Sequence, residues 1–305
     1  VDSPQYAYFE GKIVPLGEAK ISVMTHALNY GTAVFGGMRG YWNEEQKQLF
    51  VFRPWDHFHR LLYSAKLLCM EVSQDEETLI QIMLDLLHAE KWERDVYIRP
   101  MFYKADTGIG VRLHDLKDDL TIWSVPYQKY IKNDTNAHVT ISSWRRIDDN
   151  VIPARGKVSG AYVNSALVKT DAARSGFDEA LVLDQNGHVS EGSAMNVFMV
   201  RDGVVVTPPV NENILEGITR RSVMELIKTE LNLPILERPI DRTETTICDE
   251  FFMTGTAAQV VAVTKVDHRP IGTGTMGPVV SRLRDLFEDI VRGRNKKYSH
   301  WITAI

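Results

Sequence analysis

The sequence predicts a two-domain α/β protein of α+β-like character, with a small N-terminal α/β domain over 1–130, a linker at 131–136 and a larger C-terminal α/β domain over 137–305. Strand-like alternation and helix-like 3.6-residue periods follow one another along all 305 residues, enough chain for two hydrophobic cores. The polar run Lys132-Asn133-Asp134-Thr135-Asn136 interrupts them between apolar stretches, as a linker does. No internal repeat or low-complexity segment complicates the pattern.

In the first half, Ala7-Tyr8-Phe9 and Lys12-Ile13-Val14 flank Glu10-Gly11 as a small hairpin. Phe58, Leu61, Leu62, Ala65 and Cys69 share one face of a helix predicted over 56–70, and Leu79, Ile82, Met83, Leu86 and Leu87 share a face of another over 74–88. Strands at 95–103 and 120–126 bracket a loop containing Gly108 and Gly110. In the second half a helix is expected over 161–175, a strand over 179–183 and a turn at Asn186-Gly187. Strands at 196–200 and 204–207 flank Arg201-Asp202-Gly203, a hairpin signal. Helices are expected after Gly217 and after Pro278, with strands at 250–253 and 259–266 between them.

Hydrophobic residues at 44%, charged residues at 25% and a net charge of -5 exclude a disordered polyelectrolyte and a polycationic nucleic-acid binder. No stretch reads as a membrane span, and the first residues carry neither the basic region nor the apolar run of a signal peptide. Cys69 and Cys248 are expected to be buried free thiols in a reducing compartment, so a cytoplasmic location is expected.

Three motifs mislead. Gly272-Thr273-Gly274-Thr275-Met276-Gly277 has dinucleotide-fold spacing, but Arg269-Pro270 interrupts the approach and no strand with a ribose-binding carboxylate follows; a turn ahead of a terminal helix is the better reading. Gly156-Lys157 lacks the earlier glycine and the following Ser or Thr of a nucleotide phosphate loop. His57 and His59 point apart on a helix, and no metal site is expected.

Lys157 alone reads as a loop cation. Its surroundings change that reading. The run Ile152-Pro153-Ala154-Arg155-Gly156-Lys157-Val158-Ser159-Gly160, followed in order by Val189-Ser190-Glu191-Gly192, Leu215-Glu216-Gly217-Ile218-Thr219-Arg220 and Met253-Thr254-Gly255-Thr256-Ala257-Ala258, resembles class IV, fold-type IV pyridoxal-phosphate aminotransferases. Thr25-His26-Ala27-Leu28-Asn29-Tyr30-Gly31, Phe58-His59-Arg60-Leu61 and Tyr97-Ile98-Arg99-Pro100 are similar to the branched-chain subgroup, so the resemblance spans nearly the whole chain.

The resemblance implies pyridoxal 5'-phosphate as cofactor and a division of labour around it. Lys157 is the covalent anchor and acid–base catalyst, Glu191 the partner of the pyridine nitrogen and Tyr162 the partner of the phenolate oxygen. Arg60, Ile218, Thr219 and Thr256 take the phosphate. Tyr97, Thr256 and Ala257 are implied at the substrate α-carboxylate and Arg99 at the distal carboxylate of glutamate, while Tyr30, Phe35, Tyr130, Tyr162 and Ala258 line the side-chain pocket, with Tyr30 coming from a neighbouring subunit. The implied partners are L-leucine, L-isoleucine and L-valine, their 2-oxo acids, glutamate and 2-oxoglutarate, and a second copy of the chain, with no nucleic acid or membrane. Gly36 departs from the family pattern, where a glutamate follows Phe35; the lost carboxylate and volume extend the expectation to aromatic amino acids and (R)-arylalkylamines. Lys157 and Glu191 do not fix stereochemistry or outcome, so D-amino-acid aminotransferase and aminodeoxychorismate lyase remain alternatives, as does a noncatalytic binding protein.

Overall fold

The computed structural model describes residues 3–127 and 130–305. The chain forms two compact units, Val1–Gln128 with Gly156–Ala161 and Glu288–Ile305, and Lys129–Arg155 with Tyr162–Phe287. This division differs from a single cut at 131–136. Lys129 lies outside the described residues, and Ile131, just ahead of the polar run, is 4% exposed in the second unit's core.

The first unit is built on β1 (Tyr6–Phe9), β2 (Lys12–Pro15), β3 (Ala33–Phe35), β4 (Met38–Asn43), β5 (Gln48–Phe52), β6 (Val96–Lys104) and β7 (Asp118–Pro126), with helices α1 (His26–Tyr30), α2 (Pro54–Leu67) and α3 (Glu76–Glu90). The strands run in the order β5-β4-β6-β7-β1-β2, with β3 also on β6, and every pair is antiparallel. Glu10 and Gly11, both at positive φ, close the first hairpin as expected of an acidic residue followed by glycine. Asp75 caps α3 by accepting from the Thr78 N–H at 2.9 Å, and the helix buries Leu79, Met83, Leu86 and Leu87. Helix α2 starts on Pro54 and buries Phe58, Leu61 and Ala65, but ends three residues earlier than the periodicity predicts. Cys69 sits at φ 51° and is exposed, which corrects the expectation of two buried thiols. Cys248 is buried, and burial pushes its thiol up to about 12.

The second unit carries β8 (Ala137–Arg145), β9 (Glu179–Leu183), β10 (Val189–Gly192), β11 (Asn196–Arg201), β12 (Val204–Thr207), β13 (Ile235–Glu237), β14 (Glu250–Gly255), β15 (Gln259–Val266) and β16 (Arg269–Pro270), with α4 (Tyr162–Arg174), α5 (Ile218–Thr229) and, through Phe287, most of α6 (Pro278–Val291). The strand order is β10-β9-β8-β15-β14-β11-β12-β13, with β16 on β15. Pairing is parallel where β8 meets β9 and β15 and where β12 meets β13, and antiparallel elsewhere. Phe198 and Phe252 are register partners whose stacked rings lie 4.9 Å apart. The glycine-rich segment 272–277 is a helix approach: the Glu250 carboxylate accepts the N–H groups of Val279 and Val280 at 3.0 and 2.9 Å, occupying the α6 N-terminus with the protein's own anion.

The chain then returns to the first unit. Arg292 grips Asp95 through two bonds of 2.7 and 2.9 Å, and β17 (Ile302–Ala304) adds to the edge of β5. Among the described residues no helix is long and apolar enough to cross a membrane.

Glu244 ties together the second unit's far edge. Its carboxylate takes both Arg238 guanidinium nitrogens at 2.8 and 2.7 Å and Arg201 at 2.6 Å, and closes a capping box with Asp241. Arg238 above all holds the carboxyl down at about 2, from an ordinary 4.5. A lowered native pKa is stability present above the unfolded value and lost as pH falls through the native one. Glu244→Gln should therefore cost on the order of 2 kcal/mol near neutral pH, and urea titrations should show the gap to wild type narrowing from pH 4.5 down to about 2. A gap independent of pH would remove the ion pairs as its source.

Candidate active site

Lys157 belongs to the short segment 156–161 that joins the first unit. Its N–H donates to Ser64 Oγ at 3.1 Å, its carbonyl accepts the Phe35 N–H at 3.0 Å, and Val158 bridges Val34. Ser64, wholly buried on α2, in turn donates to the Arg60 carbonyl at 2.9 Å, so the helix that carries Arg60 also fixes the lysine backbone. Gly31 ends α1 at φ 68° and accepts the Gly160 N–H at 3.1 Å. A Cβ at Gly31 would come within 2.8 Å of Gly160 Cα.

With its backbone fixed, the half-buried Lys157 side chain places Nζ 5.1 Å from the centre of the Phe35 ring. Arg99 lies 4.3 Å from the same ring and donates to Tyr97 Oη at 3.0 Å. The Arg99 Nε is buried without a hydrogen bond, a donor poised for an anion. Phe35, Tyr97, Arg99 and Lys157 are thus brought together within the first unit. Gly37 makes room for them, since a Cβ there would strike the Tyr97 hydroxyl. Beside Gly36 there is no void: a Cβ would meet Pro100 Cγ at 2.8 Å, so the expected gain in volume is already filled by the proline ring. Tyr30, 38% exposed, packs on His26 at 4.7 Å and accepts the Gly110 N–H at 3.3 Å.

The second unit gathers the carboxylate and the helix terminus. Glu191 on β10 is 4% exposed; its Oε1 lies 3.0 Å from Arg146 Nη2, and its Oε2 accepts the Leu215 N–H at 3.1 Å. Arg146 also donates through Nε to the Asn213 carbonyl at 3.0 Å, and Asn196 donates to the Leu215 carbonyl at 2.8 Å. These bonds shape the loop that ends at Gly217, the residue before α5, whose N-terminus has no side-chain cap. Asn196 Oδ1 occupies the place of a Gly217 Cβ, so glycine is required there. Ile218 and Thr219 are the first residues of α5, both buried, and uncapped N–H groups at such a terminus suit a phosphate. Thr256 and Ala257 are half-buried just beyond β14, whose Thr254 is the register partner of Asn196.

The other expected residues, Ala258, Tyr130 and Tyr162, also belong to the second unit. Ala258 is packed in the second unit's core, Tyr130 is 37% exposed with Lys169 Nζ 5.4 Å from its ring, and Tyr162 opens α4, half-buried. Sequence reasoning gave no role to Ser64, Arg146 or Asn196. Their partners lie 93, 45 and 19 residues away, and only the fold brings these pairs together.

A half-buried lysine amine, a buried carboxylate and a helix N-terminus without a side-chain cap are each present, a donor set whose chemistry would fit a phosphorylated pyridine aldehyde. The family model for Amino-transferase class IV matches residues 33–266, and the chain belongs to that family. Its relatives narrow the class. The chain is 46% identical over 303 residues to the "Probable branched-chain-amino-acid aminotransferase" of Aquifex aeolicus, covering 99% of this chain and 97% of that one. It superposes on the branched-chain aminotransferase of Thermoproteus uzoniensis with norvaline at a TM-score of 0.94 and 36% identity, over 99% of both chains. For the enzyme of Thermobaculum terrenum in its PLP-form the TM-score is again 0.94 at 36% identity, over 100% of this chain and 99% of that one.

Gly31→Ala tests the anchoring of the lysine segment. A positive φ and a 2.8 Å contact with backbone should together cost roughly 2 kcal/mol or more in denaturant melts. Unchanged stability would show that the two glycines do not need their close approach.

Proposed function

We propose that this chain transfers the amino group of L-leucine, L-isoleucine or L-valine to 2-oxoglutarate in a ping-pong cycle, with pyridoxal 5'-phosphate as its cofactor. The observation that carries the proposal is Glu191, a buried carboxylate fixed by Arg146 and a backbone N–H in a class IV chain whose lysine is Lys157. Norvaline in the Thermoproteus uzoniensis structure and the PLP-form of the Thermobaculum terrenum enzyme support the substrate class and the cofactor. The D-amino-acid aminotransferase, aminodeoxychorismate lyase and noncatalytic readings find no support among these relatives.

When bound, pyridoxal phosphate supplies a carbonyl carbon that accepts the amino group and a ring that takes up the electrons of the substrate's Cα–H bond. Lys157 Nζ would anchor it and would take and return the proton at the substrate Cα. Glu191 holds the proton on the pyridine nitrogen. Arg60, Thr256, Thr219 and the N–H groups at Ile218 and Thr219 hold the phosphate, and Tyr162 donates to the phenolate oxygen. Tyr97 and the backbone at Thr256 and Ala257 orient the α-carboxylate, and Arg99, with its buried Nε lacking a hydrogen bond, takes the distal carboxylate of glutamate. Phe35, Tyr30, Tyr130 and Ala258 belong to the apolar side-chain pocket. Breadth toward aromatic amino acids and (R)-amines then rests on the missing carboxylate at Gly36, since Pro100 occupies the space.

The chain acts as at least a homodimer, in which Tyr30 serves the neighbouring copy. Around α1 and the 109–111 loop, Val23, Leu28, Ile109 and Val111 are 81%, 60%, 97% and 75% exposed, an apolar surface that a second copy would cover. A cytoplasmic setting belongs to the same proposal and is supported by two free cysteines.

Lys157→Ala should lower turnover of L-leucine with 2-oxoglutarate by roughly 10³-fold or more, and wild-type turnover in that variant would refute the role. Arg60→Ala should weaken cofactor affinity in titration, whereas Glu191→Ala should lose turnover even with saturating cofactor; the reverse pattern would exchange their assignments. Light scattering should find a dimer or larger species at assay concentration, and an active, exclusively monomeric enzyme would overturn the assembly. In a substrate panel L-leucine should outrun D-leucine, with (R)-1-phenylethylamine slower than L-leucine; activity confined to D-amino acids would defeat the specificity.

A further inference from the structure

The turn between β9 and β10 and the loop before α5 place Asp184, His188 and Glu212 together, each offering one ligand atom, all within 4.8 Å of one another. His188 Nδ1 lies 3.5 Å from Glu212 Oε2 and 4.0 Å from Asp184 Oδ2. Ligand atoms around a tetrahedral cation with bonds of about 2.0–2.2 Å stand about 3.3–3.6 Å apart. Small side-chain adjustments would bring the three to that spacing.

A second observation concerns their bonding. Glu212 is 7% exposed, and its Oε2 and His188 Nδ1 are both buried without a hydrogen bond. A buried carboxylate oxygen without a well-formed hydrogen bond is costly, and here burial first and then the facing Asp184 carboxylate push the Glu212 carboxyl above its ordinary range, with the His188 ring nitrogen 3.5 Å away. The surrounding bonds hold the ligands in place. Asp184, 2% exposed, accepts through Oδ1 the N–H groups of Asn186 and His188 at 2.9 and 2.8 Å and through Oδ2 the Asn186 amide at 3.2 Å. The Glu212 carbonyl accepts Ser190 Oγ at 2.6 Å.

We propose that Asp184, His188 and Glu212 bind a divalent first-row cation of the Zn²⁺ class. One imidazole with two carboxylates suits Zn²⁺, Mn²⁺ or Co²⁺ better than Mg²⁺ or Ca²⁺, which favour all-oxygen sets. The cation is structural: it ties the β9–β10 turn to the loop whose Leu215 N–H donates to Glu191. No step of amino transfer passes through it. The sequence conceals the trio because Asp184 and His188 span a turn and Glu212 follows 24 residues after His188.

The test uses untagged holoenzyme stripped with a chelator, desalted and dialysed against Zn²⁺, with bound metal counted by atomic emission. One Zn²⁺ per chain should bind to wild type and to His114→Asn, an exposed histidine elsewhere. Glu212→Gln and His188→Asn should each bind at least about 10-fold more weakly, with cofactor absorbance confirming that each variant is folded. Zn²⁺ should also raise the melting temperature of wild type and not that of His188→Asn. Wild type that takes up no Zn²⁺, or a folded variant of either residue that binds it as wild type does, would overturn the site; if one variant fails to fold, the other decides.

Discussion

Residues 156–161 leave the second unit's stretch of chain and are held in the first through their backbone: the Val34–Val158 bridge, the Lys157 bonds to Ser64 Oγ and the Phe35 N–H, and the Gly31–Gly160 contact. Everything proposed for Lys157 depends on this attachment. A lysine side chain has four rotatable bonds and cannot place its amine reproducibly unless its Cα is fixed. Two small residues at the contact are what allow the segment to lie so close.

The second constraint is electrostatic. Glu191 is almost fully buried, and a carboxylate there needs a compensating charge and hydrogen-bond donors. Arg146 and the Leu215 N–H supply both, and the same arginine holds the Asn213 carbonyl. The approach to α5 is therefore built around the acid. A change at Glu191 would disturb the helix terminus as well as the acid itself, so its cofactor affinity and turnover have to be read together.

Much of this was legible in the sequence where periodicity or turn chemistry is strong. The Glu10-Gly11 and Asp202-Gly203 turns, helices α3 and α5 and strands β6, β7, β14 and β15 follow from local pattern. The strands between Ala33 and Phe52 did not show, because β3, β4 and β5 are buried nearly continuously and give no alternation. Cys69 was misplaced because apolar periodicity cannot register the switch to positive φ that ends the helix. For the candidate site, the family resemblance points to Lys157 and Glu191, whereas the bonds of Ser64, Arg146 and Asn196 depend on long-range pairing. The effect of Gly36 also needed the fold: only the position of Pro100 shows that the missing side chain leaves no hollow.

The central claim is that Lys157 moves the proton at the substrate's Cα. It is tested most directly by following loss of the α-hydrogen of L-leucine into D₂O by NMR, with holoenzyme and no oxo-acid acceptor, for wild type and Lys157→Ala with cofactor supplied to both. The account predicts exchange with wild type, none with D-leucine, and almost none with Lys157→Ala. Exchange at the wild-type rate in Lys157→Ala, or exchange of D-leucine alone, would contradict it.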